Sequence, residues 1–107
     1  GYLTGKHLNG IVENSRLDLF KQFTRYVNPN CTKATQLYKN LAEQNGLTLV
    51  QMALAFVKQQ QFVTSTIIGA TSMAQLQENI TAFDVVLSDE LITEINKIQE
   101  LHPNPAP

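Results

Sequence analysis

Cysteine is nearly missing from this chain: Cys31 stands alone among 107 residues. No internal disulfide can form, and this usage fits a reducing cytoplasm. Only two histidines, His7 and His102, accompany it. Those are too few soft ligands for a metal site. No apolar run approaches the ~20 residues of a membrane span, and no signal-peptide pattern is visible. The cations lack the density and aromatic interleaving of a nucleic-acid patch. An initiator methionine is also missing. Gly1-Tyr2-Leu3-Thr4-Gly5-Lys6 reads as the far side of a loop, so the expectation is a piece of a longer protein.

What is present is ordinary in amount and uneven in placement. Apolar residues make up 43% and charged residues 16%, as in a globular protein with room for one domain at most. Through position 40 the cations Lys6, Arg16, Lys21, Arg25, Lys33 and Lys39 face only Glu13 and Asp18. Beyond it, Lys58 and Lys97 face Glu43, Glu78, Asp84, Asp89, Glu90, Glu94 and Glu100. Most of these charges read as solvated surface. Some early cations are candidates to meet an anionic ligand.

Residues 1–31 are rich in turn formers: Gly1, Gly5, Asn9, Gly10, Asn14, Asn28, Pro29 and Asn30. They read as a long loop with a short helical turn near 17–23. Periodicity predicts a helix over 31–45, stopped by Asn45-Gly46. Thr48-x-x-Gln51 is a capping box for a helix over 49–60 that is apolar around most of its circumference and expected to be heavily buried. Val63–Ile68 reads as a buried parallel strand. Ser72-x-x-Gln75 is a second capping box, for a helix over 73–82, and Ser88 caps a last helix over 89–101. One strand cannot make a sheet. The order therefore fits the end of a larger α/β structure.

The stretch Thr64–Ile80, TSTIIGATSMAQLQENI, carries the most chemistry. A β-branched run ends in a glycine turn and a capped helix opens at once. Backbone N–H groups and the positive helix end make that geometry suited to a phosphate. Gln75, Glu78 and Asn79 then share one side of the helix, at i, i+3 and i+4. The plain alternative is a tight turn, a cap and a solvated polar face.

These residues resemble a known family. STIIGATSMAQLQENI is similar to the last strand–loop–helix of the aldo-keto reductases, and GYLTGKHLNG to the loop after their seventh barrel strand. ALAFVKQQQFVTSTIIGAT and LFKQFTRY are closest in character to the bacterial Tas-type reductases and, more distantly, to the potassium-channel β subunits. The resemblance spans essentially the whole chain. It implies an α/β fold, a (β/α)8 barrel of which 1–107 is the C-terminal part, about the last third. It also implies NADPH as cofactor and small carbonyl compounds as substrates. Phosphate sites in such barrels are commonly built from the loops after strands seven and eight.

Carried over residue by residue, the resemblance assigns Gly1 and Gly5 to the pyrophosphate, where glycine permits close approach. Lys6 matches a basic residue near the cofactor phosphates. Arg16 matches an arginine near the adenosine end. Gly69 and Thr71 match the turn over the 2′-phosphate. Gln75 stands where many members of the family carry arginine. A glutamine supplies no charge, so a preference for NADPH would rest on Lys6, Arg16 and backbone donors. Glu78 and Asn79 match the pair that hydrogen-bonds the adenine.

Other candidates take simpler readings. Cys31 reads as a cap-region residue rather than a reactive thiol. His7 has no carboxylate nearby in sequence, and His102 lies in a terminal tail. Phe20, Phe23 and Tyr26 read as packing. Tyr2 and Tyr38 lack the surroundings of the family's catalytic tyrosine. The family's Tyr, Lys, Asp and His lie on early barrel strands and loops, and none matches a position here. The expectation is a cofactor-anchoring portion of a carbonyl-reducing enzyme, inactive alone. The competing classes are a cofactor-sensing β-subunit-like regulator and a helical interaction module.

Overall fold

The computed structural model describes residues 2–22, 28–60, 65, 68–70, 72–103 and 105, without the side chains of Tyr2 and Arg16. Among these residues a 3-10 turn at Tyr2–Thr4 is followed by five helices: α1 Arg16–Leu19, α2 Pro29–Gln44, α3 Leu49–Lys58, α4 Met73–Ala82 and α5 Asp89–Leu101.

Capping fixes the ends. α2 begins two residues before its predicted start, because Asn28 is its cap and Pro29 its first residue. The Asn28 Oδ1 accepts from the Cys31 amide at 2.8 Å. Proline suits the first helical position, where its missing N–H costs nothing. Gly46 ends the helix with φ +70°, while the Leu47 amide donates to the Ala42 carbonyl and the Gly46 amide to that of Glu43. That is a Schellman closure, and the positive φ is the reason for glycine. The Thr48–Gln51 capping box is formed in both directions. Ser72 and Ser88 accept from the amides of Gln75 and Leu91. α4 and α5 span the predicted residues, whereas α3 stops at Lys58 rather than 60.

The core gathers Leu41 and Ala42 of α2, Leu49, Met52 and Ala55 of α3, and Leu87, Leu91 and Ile95 around α5. α3 is the hub: α2, α4 and the Tyr2–Thr4 turn all pack on it. The extended connection after α4 is pinned by the Gln59 side chain. Its Oε1 accepts from the Leu87 amide at 2.6 Å and its Nε2 donates to the Leu87 carbonyl at 3.3 Å. Lys58 reaches the same connection, donating to the Phe83 carbonyl with its Nζ 5.9 Å from that ring's centre. Asn28 also donates from Nδ2 to the Pro105 carbonyl at 3.0 Å, tying the tail to the start of α2.

One expectation needs correction, and a second lies mostly outside the described residues. α3 is buried on one side only. Val50, Ala53, Leu54 and Phe56 are half-buried and Val57 is 40% exposed, because no described residue covers that side. No strand is formed among the described residues. Of the predicted strand at 63–68, residues 63, 64, 66 and 67 lie outside the description, and Ser65 and Ile68 belong to neither helix nor strand. A strand needs a neighbouring strand for its N–H and C=O groups, and the described residues supply none. No helix among them is long and apolar enough to cross a membrane.

Candidate functional site

The exposed side of α3 forms one wall of a cavity of about 530 Å³. Val50, Ala53, Leu54 and Val57 supply that wall, with Tyr38 and Ile95 beside it. Both loops singled out in the sequence reach this cavity. Leu3 and Thr4 come from the first, and Ile68 and Gly69 from the second, with Asn79 of α4 alongside. Residues more than sixty positions apart thus border one space. Its walls are mostly apolar, and its polar side chains are those of Thr4, Tyr38, Asn79 and Gln99.

Asn79 is 8% exposed and donates from Nδ2 to the Gly69 carbonyl at 3.1 Å. This bond fastens the turn to the helix that follows it. Gly69 itself has no positive φ, and a Cβ there would meet nothing within 4 Å. Among the described residues, neither backbone strain nor packing requires a glycine at this position. The turn is open to whatever approaches it from outside the described residues.

Glu78 is half-buried, and its Oε1 accepts from the Thr48 hydroxyl at 3.1 Å. Gln75 lies exposed in the first turn of α4. The pair Glu78 and Asn79 is therefore held from two directions, by the α3 cap and by the Gly69 turn.

In the first loop, Gly5 has φ +80°, a conformation that favours glycine, and its nearest neighbours are the side chains of Leu49 and Leu8. Lys6 is exposed, and its amide donates to Thr4 Oγ1 at 3.3 Å. Arg16 opens α1, with its side chain outside the description. Gly1 and Thr71 also lie outside the described residues, as do Phe23 and Tyr26.

Two residues with plain sequence readings gain definite surroundings. His7 is 6% exposed, and its Nδ1 accepts from the Val12 amide at 3.2 Å. Burial, and then the charge of Lys6, push its pKa below the ordinary value. Cys31 lies in the first turn of α2 rather than before the helix, and it is 5% exposed. Burial raises its thiol pKa, against a smaller opposing effect of the Thr35 hydroxyl, so it lacks the character of a reactive cysteine.

The Aldo/keto reductase family model matches residues 1–100. The chain belongs to the aldo/keto reductase family. It is 44% identical to Protein tas of Escherichia coli (strain K12), an alignment covering 100% of this chain and 31% of that protein. It is 36% identical to L-glyceraldehyde 3-phosphate reductase of Escherichia coli O157:H7, over 91% of this chain and 30% of that protein. It is also 36% identical to a putative voltage-gated potassium channel subunit beta of Schizosaccharomyces pombe, over 96% of this chain and 32% of that protein. The chain thus spans less than a third of the length of these curated relatives. Membership of an aldo/keto reductase family supports oxidoreductase chemistry and a (β/α)8 barrel as the family's fold.

Proposed function

We propose that residues 1–107 are the C-terminal, cofactor-anchoring part of a barrel that reduces aldehydes or ketones to alcohols with NADPH. The observation that carries this reading is the convergence of both loops on one cavity, which Thr4, Gly69 and Asn79 help to line. The apolar side of α3 that walls this cavity has the chemistry of a helix that packs on a barrel sheet, so the barrel covers that wall and leaves the loop residues Thr4 and Gly69, with Asn79, for the cofactor.

The residues present suit the adenosine end of NADPH. The unobstructed Gly69 allows a ligand to approach backbone closely, and the positive φ of Gly5 suits glycine in the first loop. Lys6 and Arg16 supply positive charge for the phosphates, with Gly1 and Thr71 completing the two loops. Glu78 and Asn79 take the adenine, and Gln75 adds a neutral polar contact. Bound NADPH supplies the hydride for carbonyl reduction. This chain's own residues bind and orient the cofactor, and the catalytic acid and its partners belong to barrel positions that none of its residues matches. The chain alone is therefore inactive, and the whole protein works in the cytoplasm on small carbonyl compounds.

Turnover by the full-length protein tests this. NADPH oxidation coupled to reduction of a panel of aldehydes and ketones is the expected result. The similarity to a protein named as a potassium channel subunit beta favours one second reading, a cofactor-sensing regulator. That reading requires tight NADPH binding with slow single-turnover hydride loss and no steady turnover. Reduction of an aldehyde by purified 1–107 would overturn the assignment of the chemistry to residues outside this chain.

A further inference from the structure

We propose that Thr48 is a positioning residue for the adenine end of the cofactor, acting through Glu78; the inference rests on the cofactor reading above. Thr48 caps α3, and its hydroxyl is used twice. The oxygen accepts from the Gln51 amide at 3.1 Å, while the hydroxyl hydrogen is donated to Glu78 Oε1, also at 3.1 Å. The reciprocal bond from the Thr48 amide to Gln51 Oε1, at 3.0 Å, completes the box. The box orients the hydroxyl, because the acceptor side is committed to the helix's own amide. Its one hydrogen then points across to α4, thirty residues away.

A helix cap needs only the acceptor. The donor is surplus to that task, and it meets a residue of the proposed binding pair. Ordering a free glutamate side chain costs rotamer entropy. A bond to one carboxylate oxygen before ligand arrives removes part of that cost and fixes the direction of the other oxygen. An ionised carboxylate only accepts hydrogen bonds. Held this way, Glu78 selects a ligand that presents an N–H at the 6-position itself, which the 6-amino group of adenine does and a 6-oxo group, with its N–H only at the neighbouring N1, does not. Asn79, fixed separately by Gly69, keeps the next position of the helix in register.

The test measures Kd for NADPH and for its hypoxanthine analogue, in which a 6-oxo group replaces the 6-amino group, on the full-length protein. Thr48→Asp keeps a good cap acceptor, removes the donor and sets a second carboxylate against Glu78. Thr48→Gly costs little as a cap and also removes the donor. Thr48→Ser keeps both functions. The wild-type protein and Thr48→Ser are expected to prefer NADPH over the analogue. Thr48→Asp and Thr48→Gly should lose about threefold to tenfold of that preference, and Glu78→Gln at least as much. A preference unchanged in both Thr48→Asp and Thr48→Gly but lost in Glu78→Gln overturns the role of Thr48 and leaves the adenine reading standing. A preference unchanged in Glu78→Gln overturns both.

Discussion

Asn79 and Gly69 are joined by one hydrogen bond, from the Asn79 Nδ2 to the Gly69 carbonyl at 3.1 Å. It links the middle of α4 to the turn that precedes it, and the turn borders the cavity reached by the first loop. Asn79→Asp keeps the size and removes the donor, placing a carboxylate against a carbonyl. Cofactor affinity of the full-length protein should fall by about 1–3 kcal/mol, through the turn as well as through the lost contact. Asn79→Ser, too short to reach Gly69, should fall by a similar amount. Unchanged Kd values by fluorescence titration would remove Asn79 from the site.

Gln59 predicts the opposite pattern. Its carboxamide satisfies both backbone groups of Leu87, far from the two loops in function. Gln59→Leu leaves that N–H and C=O without these partners and should lower stability by about 1–3 kcal/mol. Denaturant unfolding should show the loss, while Kd for NADPH stays within twofold. A loss of affinity without a loss of stability would contradict a purely architectural role.

His7 sets a pH dependence. Its Nδ1 accepts from the Val12 amide, which a doubly protonated ring cannot do. Burial and Lys6 lower its folded pKa, so the unfolded chain takes up the proton first as pH falls. The stabilisation is complete above the unfolded value, about 6.5, and is lost as pH drops below it. Thermal midpoints measured between pH 7.5 and 5 should fall more steeply for the wild type than for His7→Asn. Parallel profiles would show that His7 carries no such linkage.

Much of this was legible in the chain because helix caps are local. Thr48, Ser72 and Ser88 announce α3, α4 and α5 within a few residues of their starts. Asn28-Pro29 was an equally local cap-and-first-turn signal, but its setting among other turn formers hid it. The two candidate loops were legible as separate stretches, and the family resemblance already paired them. The bonds of Thr48 to Glu78 and Gln59 to Leu87 were not legible. Such bonds depend on how helices pack, which no short stretch of sequence encodes. The burial of α3 was overestimated for the same reason. Apolar periodicity says which face wants cover, not whether the described residues provide it.

With Gly69 and Thr71 taking the turn over the 2′-phosphate, the charge that favours NADPH over NADH comes from Lys6 and Arg16. Lys6 is exposed in the first loop, and Gln75 brings no charge to the second. The direct measurement is Kd for NADPH and for NADH on full-length wild-type protein, Lys6→Ala and Arg16→Ala. The account predicts a loss of about 1–3 kcal/mol for NADPH and a much smaller loss for NADH. Equal losses for the two cofactors would contradict it.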